Sequence, residues 1–146
     1  MILQQNSKLP INRLGTIFSD TTATYKFYWF AVILDIVVKE RKTRITFWEI
    51  IAGMVAESWY PIHYFKLSFG KSDSLFSKSI EIQKAFEISI ESDKDKIKKL
   101  LIDNLYDSRR YLKIFIQNVP YRFLSPWIKY TCVEDVVNRS QKFENN

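Results

Sequence analysis

From Thr24 to Val38 the chain reads TYKFYWFAVILDIVV, apolar on nearly every side rather than along one stripe. A surface helix keeps a polar face for water, so a helix that is hydrophobic all round belongs inside a bundle. Only Lys26 and Asp35 interrupt the segment, and at about 100° per residue they fall on opposite sides of it. The pattern predicts an all-α, single-domain helical bundle built around a central buried helix from about Thr22 to Glu40. Asp20, Thr21 or Thr22 supplies its N-cap. The cluster Lys39-Glu40-Arg41-Lys42 ends it, since cations suit a helix C-terminus.

The rest of the chain continues the helical reading. Pro10 opens a short amphipathic segment that runs to Phe18. Thr46-Phe47-Trp48-Glu49 has capping-box spacing and starts a helix that runs to about Ser58. Pro61 interrupts before the aromatic piece Ile62 to Phe69, and Gly70 is its stop. Ser72 or Asp73 caps a helix to about Ile88. The longest helix starts at Ser92-Asp93-Lys94-Asp95 and ends at Asn118-Val119-Pro120. Ile97, Leu101, Leu105, Leu112, Phe115 and Val119 recur on one side of it at helical spacing. Pro120 to Pro126 reads as irregular, and Thr131-Cys132-Val133-Glu134 as a second capping box before a last short helix. The helical domain is expected over 1–137, with a polar tail at 138–146. Arg44-Ile45-Thr46 is strand-like but too short to stand alone.

Composition narrows the class. The chain has 146 residues, 47% hydrophobic and 16% aromatic, with three Gly and four Pro. That is core material for one domain and argues against disorder or a turn-rich β protein. Phe27 to Val38 is shorter than the roughly 20 apolar residues a membrane span needs. Cys132 is the single cysteine and Met1 to Pro10 shows no secretory leader, so a cytoplasmic, reducing location is expected. The formal charge of +6 is compatible with an acidic or phosphate-bearing partner and does not select one.

Catalytic chemistry has little to work with. His63 is the only histidine, so a two-His metal motif is excluded, and among Tyr60, Tyr64 and Phe65 it reads as a packed residue. Cys132 lies near an expected helix start, which favours thiolate, but a small buried residue is the plainer reading. Gly70-Lys71-Ser72 mimics the end of a phosphate-binding loop, yet Phe65 stands where that loop needs its first Gly. Asp103 and Asp107, or Glu134 and Asp135, read as solvated helix faces. No cofactor and no metal site is expected. The surface pattern with a chemical reading lies opposite the apolar stripe of the long helix: Lys99, Tyr106, Arg109, Arg110, Lys113 and Gln117. Arginine and lysine there suit phosphates and tyrosine suits a base, and Arg122 with Tyr121 extends the patch.

Three aromatic segments appear in order: Tyr25-Lys26-Phe27-Tyr28-Trp29-Phe30; Trp59-Tyr60-Pro61 on to Tyr64-Phe65-Lys66-Leu67-Ser68-Phe69-Gly70-Lys71; and Val119-Pro120-Tyr121-Arg122-Phe123-Leu124-Ser125-Pro126-Trp127. Together, from about Leu9 to Trp127, they resemble the N-terminal region of bacterial HNH endonuclease domain-containing proteins. The HNH module of such proteins lies further downstream and is absent from these residues, so no catalytic residue carries over. The resemblance implies a non-catalytic accessory domain of a nuclease, with duplex DNA and a downstream nuclease domain as partners. The alternative is a protein-interaction or regulatory domain that never touches nucleic acid. A continuous basic face favours the first, an exposed aromatic patch the second.

Overall fold

A computed structural model describes residues 11–18, 24–70 and 74–126, apart from the Tyr121 side chain. Six helices account for most of them: α1 (Ile11–Ile17), α2 (Tyr25–Lys39), α3 (Phe47–His63), α4 (Ser74–Phe86), α5 (Lys94–Asp103) and α6 (Leu105–Leu124). The described residues contain no strand. The fold is all-α. The caps expected at Asp20 to Thr22 and at Ser72 or Asp73, the segment around Cys132 and the tail at 138–146 lie outside the described residues.

The bundle does have a central helix, but it is α3 rather than α2. Helix α3 packs against α2, α4, α5 and α6, and its buried residues run almost unbroken from Ile50 to Ala56 and on through Ser58, Trp59, Ile62 and His63. Residue size explains the exchange. Ala52, Gly53 and Ala56 let neighbouring helices approach from several sides, and an ideal Cβ built on Gly53 would lie 2.5 Å from Val32 Cγ1. Helix α2, with its bulky side chains, packs one face inward through Tyr25, Trp29, Val32 and Ile36. Phe27, Leu34, Val37 and Val38 stay exposed on it. Amphipathicity inside α2 is hidden because both its faces are apolar.

Local chemistry sets the helix ends. The capping box at the start of α3 is formed: the Thr46 hydroxyl accepts from the Glu49 N–H at 3.2 Å, and the Glu49 carboxylate accepts from the Thr46 N–H at 2.8 Å. Asp93 caps α5 by accepting from the Asp95 N–H at 2.9 Å. Lys26 donates to the carbonyl of Ile17 at the end of α1, and the Tyr25 hydroxyl accepts from the Ser74 N–H at the start of α4.

Both internal prolines are carried inside helices, contrary to the expectation from the sequence. Pro61 sits in the last turn of α3 and Pro120 near the end of α6. Each lacks a donor and interrupts one hydrogen bond, but Ile62 and His63 after the first, and Phe123 after the second, are buried. Packing holds the helical path there. Gly70 has φ +104 but follows an irregular stretch instead of ending a helix; Tyr64 is the C-cap of α3.

The long C-terminal helix is in fact two helices. Asn104 breaks it, its side-chain amide donating to the Leu100 carbonyl at 2.9 Å, the local competition with helix geometry that asparagine favours. The Ser108 hydroxyl, fully buried, donates to Leu101 O at 2.8 Å and satisfies a carbonyl near the break. The apolar stripe survives: Ile97, Leu101, Leu112, Phe115 and Val119 are buried and Leu105 is half-buried.

Candidate interaction surfaces

The break at Asn104 divides the basic residues expected on one face. Tyr106, Arg110, Lys113 and Gln117 recur at three- and four-residue steps on the side of α6 away from its buried residues. Tyr106 is 94% exposed. Arg110 is less free: its guanidinium lies 4.7 Å from the Tyr111 ring centroid and donates to the Tyr111 hydroxyl at 2.6 Å. Arg109 lies at the edge of the face, 5.4 Å over the ring of Trp48. Arg122 is exposed, but sits roughly 140° around the helix from Gln117. Lys99 belongs to α5 and lines a different feature.

That feature is a cleft of ≈ 360 Å³ between α2, α3 and α5. Val32, Ile36, Gly53, Ala56 and Ile102 line it together with charged side chains of both signs. Lys94 pairs with Glu57 and, at 3.0 Å, with Asp35, which also takes Lys39 at 2.9 Å. Lys98 pairs with Glu40 at 2.6 Å, and Lys42 joins Glu40 and Glu49. Hydrogen bonds from Lys39 and Lys94 hold the Asp35 carboxyl below its usual range, and those from Lys98 and Lys42 do the same for Glu40. Glu57, with Asp35, pushes the Lys94 ammonium up against a smaller opposing effect of burial. The network ties α5 to α2 and α3. Lys39, Lys42, Lys94 and Lys98 are committed to carboxylates there, and Lys99 is exposed at the rim.

His63 is 1% exposed and packed in the core. Its Nε2 lies 2.9 Å from Ser79 Oγ, its ring centroid 4.1 Å from that of Trp59, and its Nδ1 has no hydrogen-bond partner. Burial, then the charge of Lys66, lowers its pKa, while Gln83 and Ser79 pull the other way. The His63–Ser79 pair is closed to any substrate. It has a pH signature instead. A histidine whose folded pKa lies below its unfolded value of 6.5 binds fewer protons folded than unfolded. Its contribution is complete above that pH and is lost as pH falls through 6.5 toward the folded value. Urea melts from about pH 7.5 to about pH 5 should show stability falling by at most about 1.4 kcal/mol per pH unit from this one group. His63→Gln should be flatter over that window, whatever its stability at neutral pH. Equal slopes for the two proteins would refute the assignment.

At the end of α3 the structure exposes a surface that the motif reading of the sequence passed over. Tyr60, Tyr64, Phe65 and Leu67 are each about half exposed. The Tyr60 and Tyr64 rings stack at 4.8 Å with 13° between their planes, and Phe65 stands edge-on to both, at 5.4 and 5.0 Å. The signal in the sequence was the four-residue step from Tyr60 to Tyr64, which places two rings on one helical face only if the helix continues through Pro61. Lys66, with φ 56, and a Leu67 N–H to Pro61 O bond of 3.1 Å fix the turn that presents Phe65 and Leu67.

The described residues form an all-α unit of six helices with an exposed aromatic patch and a part-basic helix. The chain matches no protein-family model, no curated protein and no solved structure. No helix among the described residues is long and apolar enough to cross a membrane, and among them no group of His, Cys, Asp and Glu is placed to hold a metal ion.

Proposed function

We propose that this chain is a non-catalytic protein-interaction domain that docks a partner through Tyr60, Tyr64, Phe65 and Leu67. The observation that carries this reading is three mutually packed aromatic rings left half exposed at one spot. Water-exposed apolar clusters on folded proteins mark interaction sites, and aromatic side chains are the usual anchors there. In a nuclease accessory domain of the kind the aromatic segments resemble, the partner would be the nuclease domain or a regulator of it. A photo-crosslinking phenylalanine analogue at position 65, with position 77 as an exposed control, tests this in cells that make the chain. The expected result is an adduct from position 65 only. The protein so identified, once purified, should lose affinity at least tenfold for the Tyr60→Ser/Tyr64→Ser chain. Unchanged affinity in that variant would sink the reading.

A second reading, contact with duplex DNA, is favoured by Tyr106, Arg110 and Lys113 sharing one face of α6. Each phosphate contact contributes about 0.9 to the slope of log K against log salt. Arg110→Ala with Lys113→Ala should therefore flatten the slope by roughly two units. If the parent chain does not bind duplex at low salt, or the slope is unmoved, this face is only solvated.

A further inference from the structure

We infer that the partner segment on the Tyr60–Tyr64–Phe65–Leu67 patch is a proline-containing stretch in the polyproline II conformation with a carboxylate beside it, an inference that rests on the protein-docking reading above. Size is the first argument. A stable interface between globular proteins hides about 800 Å² per partner and involves about 20–30 residues a side. Four half-exposed side chains fall far short of that. A short segment already ordered before binding loses little conformational entropy and can bind a small patch.

Shape is the second argument. Tyr60 and Tyr64 stack on one another, so each turns one ring face outward, and Phe65 stands at 90° to Tyr60 and 79° to Tyr64. The result is a ridge of aromatic faces and edges. Pyrrolidine rings stack on such faces, and polyproline II brings a ring to the same side every third residue. That conformation has no internal hydrogen bonds, so its carbonyls are open to donation from the Tyr60 and Tyr64 hydroxyls.

Charge is the third. Lys66, exposed between Phe65 and Leu67, is the only charged side chain in this stretch. Its ammonium selects a carboxylate over a cation next to the prolines. The patch is also preformed: Pro61 within α3 and the Leu67-to-Pro61 backbone bond set the turn before any partner arrives.

The test titrates the full chain into a fluorescein-labelled oligoproline with a terminal glutamate. Comparison ligands are the same oligoproline with a terminal lysine, a glycine-serine peptide with a terminal glutamate, and phosphatidylserine vesicles. The expected result is binding of the glutamate-bearing oligoproline in preference to all three. Tyr64→Ala should weaken it about tenfold and Tyr64→Phe only about threefold, the difference between losing the ring and losing one donor. Lys66→Ala should abolish the preference for glutamate over lysine. Thermal melts check that each variant folds, and Phe65→Ala replaces Tyr64→Ala if that one does not. Failure of the parent chain to bind oligoproline, with an adduct still forming at position 65, would overturn this inference and leave the docking reading standing. Failure of both would overturn both. Oligoproline binding that neither Tyr64→Ala nor Phe65→Ala weakens would displace the site. Vesicle binding through these side chains without peptide binding would make the patch a lipid contact.

Discussion

Trp29→Ala should cost about 3–5 kcal/mol, the range for deleting a large buried aromatic side chain. Trp29 is 1% exposed and joins three helices: its ring lies 5.8 Å from that of Phe47 in α3 and 6.2 Å from that of Phe123 in α6. Removing it leaves a cavity at the junction of α2, α3 and α6 and frees both phenylalanines. Against a total stability of about 5–15 kcal/mol for a domain of ordinary stability, this is a large fraction. The melting temperature should fall by about 6–20 °C. Phe27→Ala, two residues away on the same helix, is the control. Its ring is 46% exposed and stacks on Phe18 at 5.1 Å, so its loss should cost well under half as much. Equal costs for the two would mean that α2 is buried on all sides after all, and the assignment of α3 as the central helix would fail.

Trp29 also shows what a hydrophobic pattern can and cannot convey. Its burial follows from its place in a long apolar run, and the C-terminal end of α2 follows from the charged cluster that begins at Lys39. The centre of the bundle does not follow, because hydropathy weighs Phe and Val heavily and Ala and Gly hardly at all. A central helix needs small residues where neighbours cross it. Ala52-Gly53 in α3 supplies them, whereas the one small residue within α2, Ala31, is exposed. The prolines mislead for a related reason. Their cost is local and fixed, whereas burying Ile62 or Phe123 is a tertiary gain that no local rule sees. Asn104 is the converse case, a local side-chain bond that breaks an otherwise unbroken periodicity.

The surfaces were less legible. Angular position along an assumed single helix put Lys99 with Arg110 and Lys113, but one residue at the break removes Lys99 to the charged cleft. Arg109 and Arg110 read as free cations in sequence, yet each lies over an aromatic ring, Trp48 and Tyr111, that only the fold brings or holds there. The aromatic patch was present in the letters YPIHYFKL. What hid it was the assumption that Pro61 ended the helix, without which Tyr60 and Tyr64 fall one turn apart and stack.

Gly53→Ala should destabilise the chain by about 1–3 kcal/mol although alanine is the better helix former, because the crossing of α2 and α3 has no room for a methyl group. The new Cβ would lie 2.5 Å from Val32 Cγ1 and 3.1 Å from Cγ2, and Val32 is itself 3% exposed and cannot swing into solvent. Either its rotamer changes against packed neighbours or the helices separate. The intrinsic gain of about 1 kcal/mol from replacing a mid-helix glycine offsets part of this, so the net value belongs toward the lower end. Val32→Ala alone should also destabilise, by about 2 kcal/mol, through the cavity it leaves. Combined, the two changes place one methyl on α3 in the space that two methyls leave on α2. The double variant should therefore be more stable than the sum of the singles by about 1–3 kcal/mol, a coupling expected only of residues in contact. Urea denaturation of the four proteins measures it. If the costs simply add, α2 and α3 do not meet at Gly53, and the small-residue explanation for the central position of α3 is wrong.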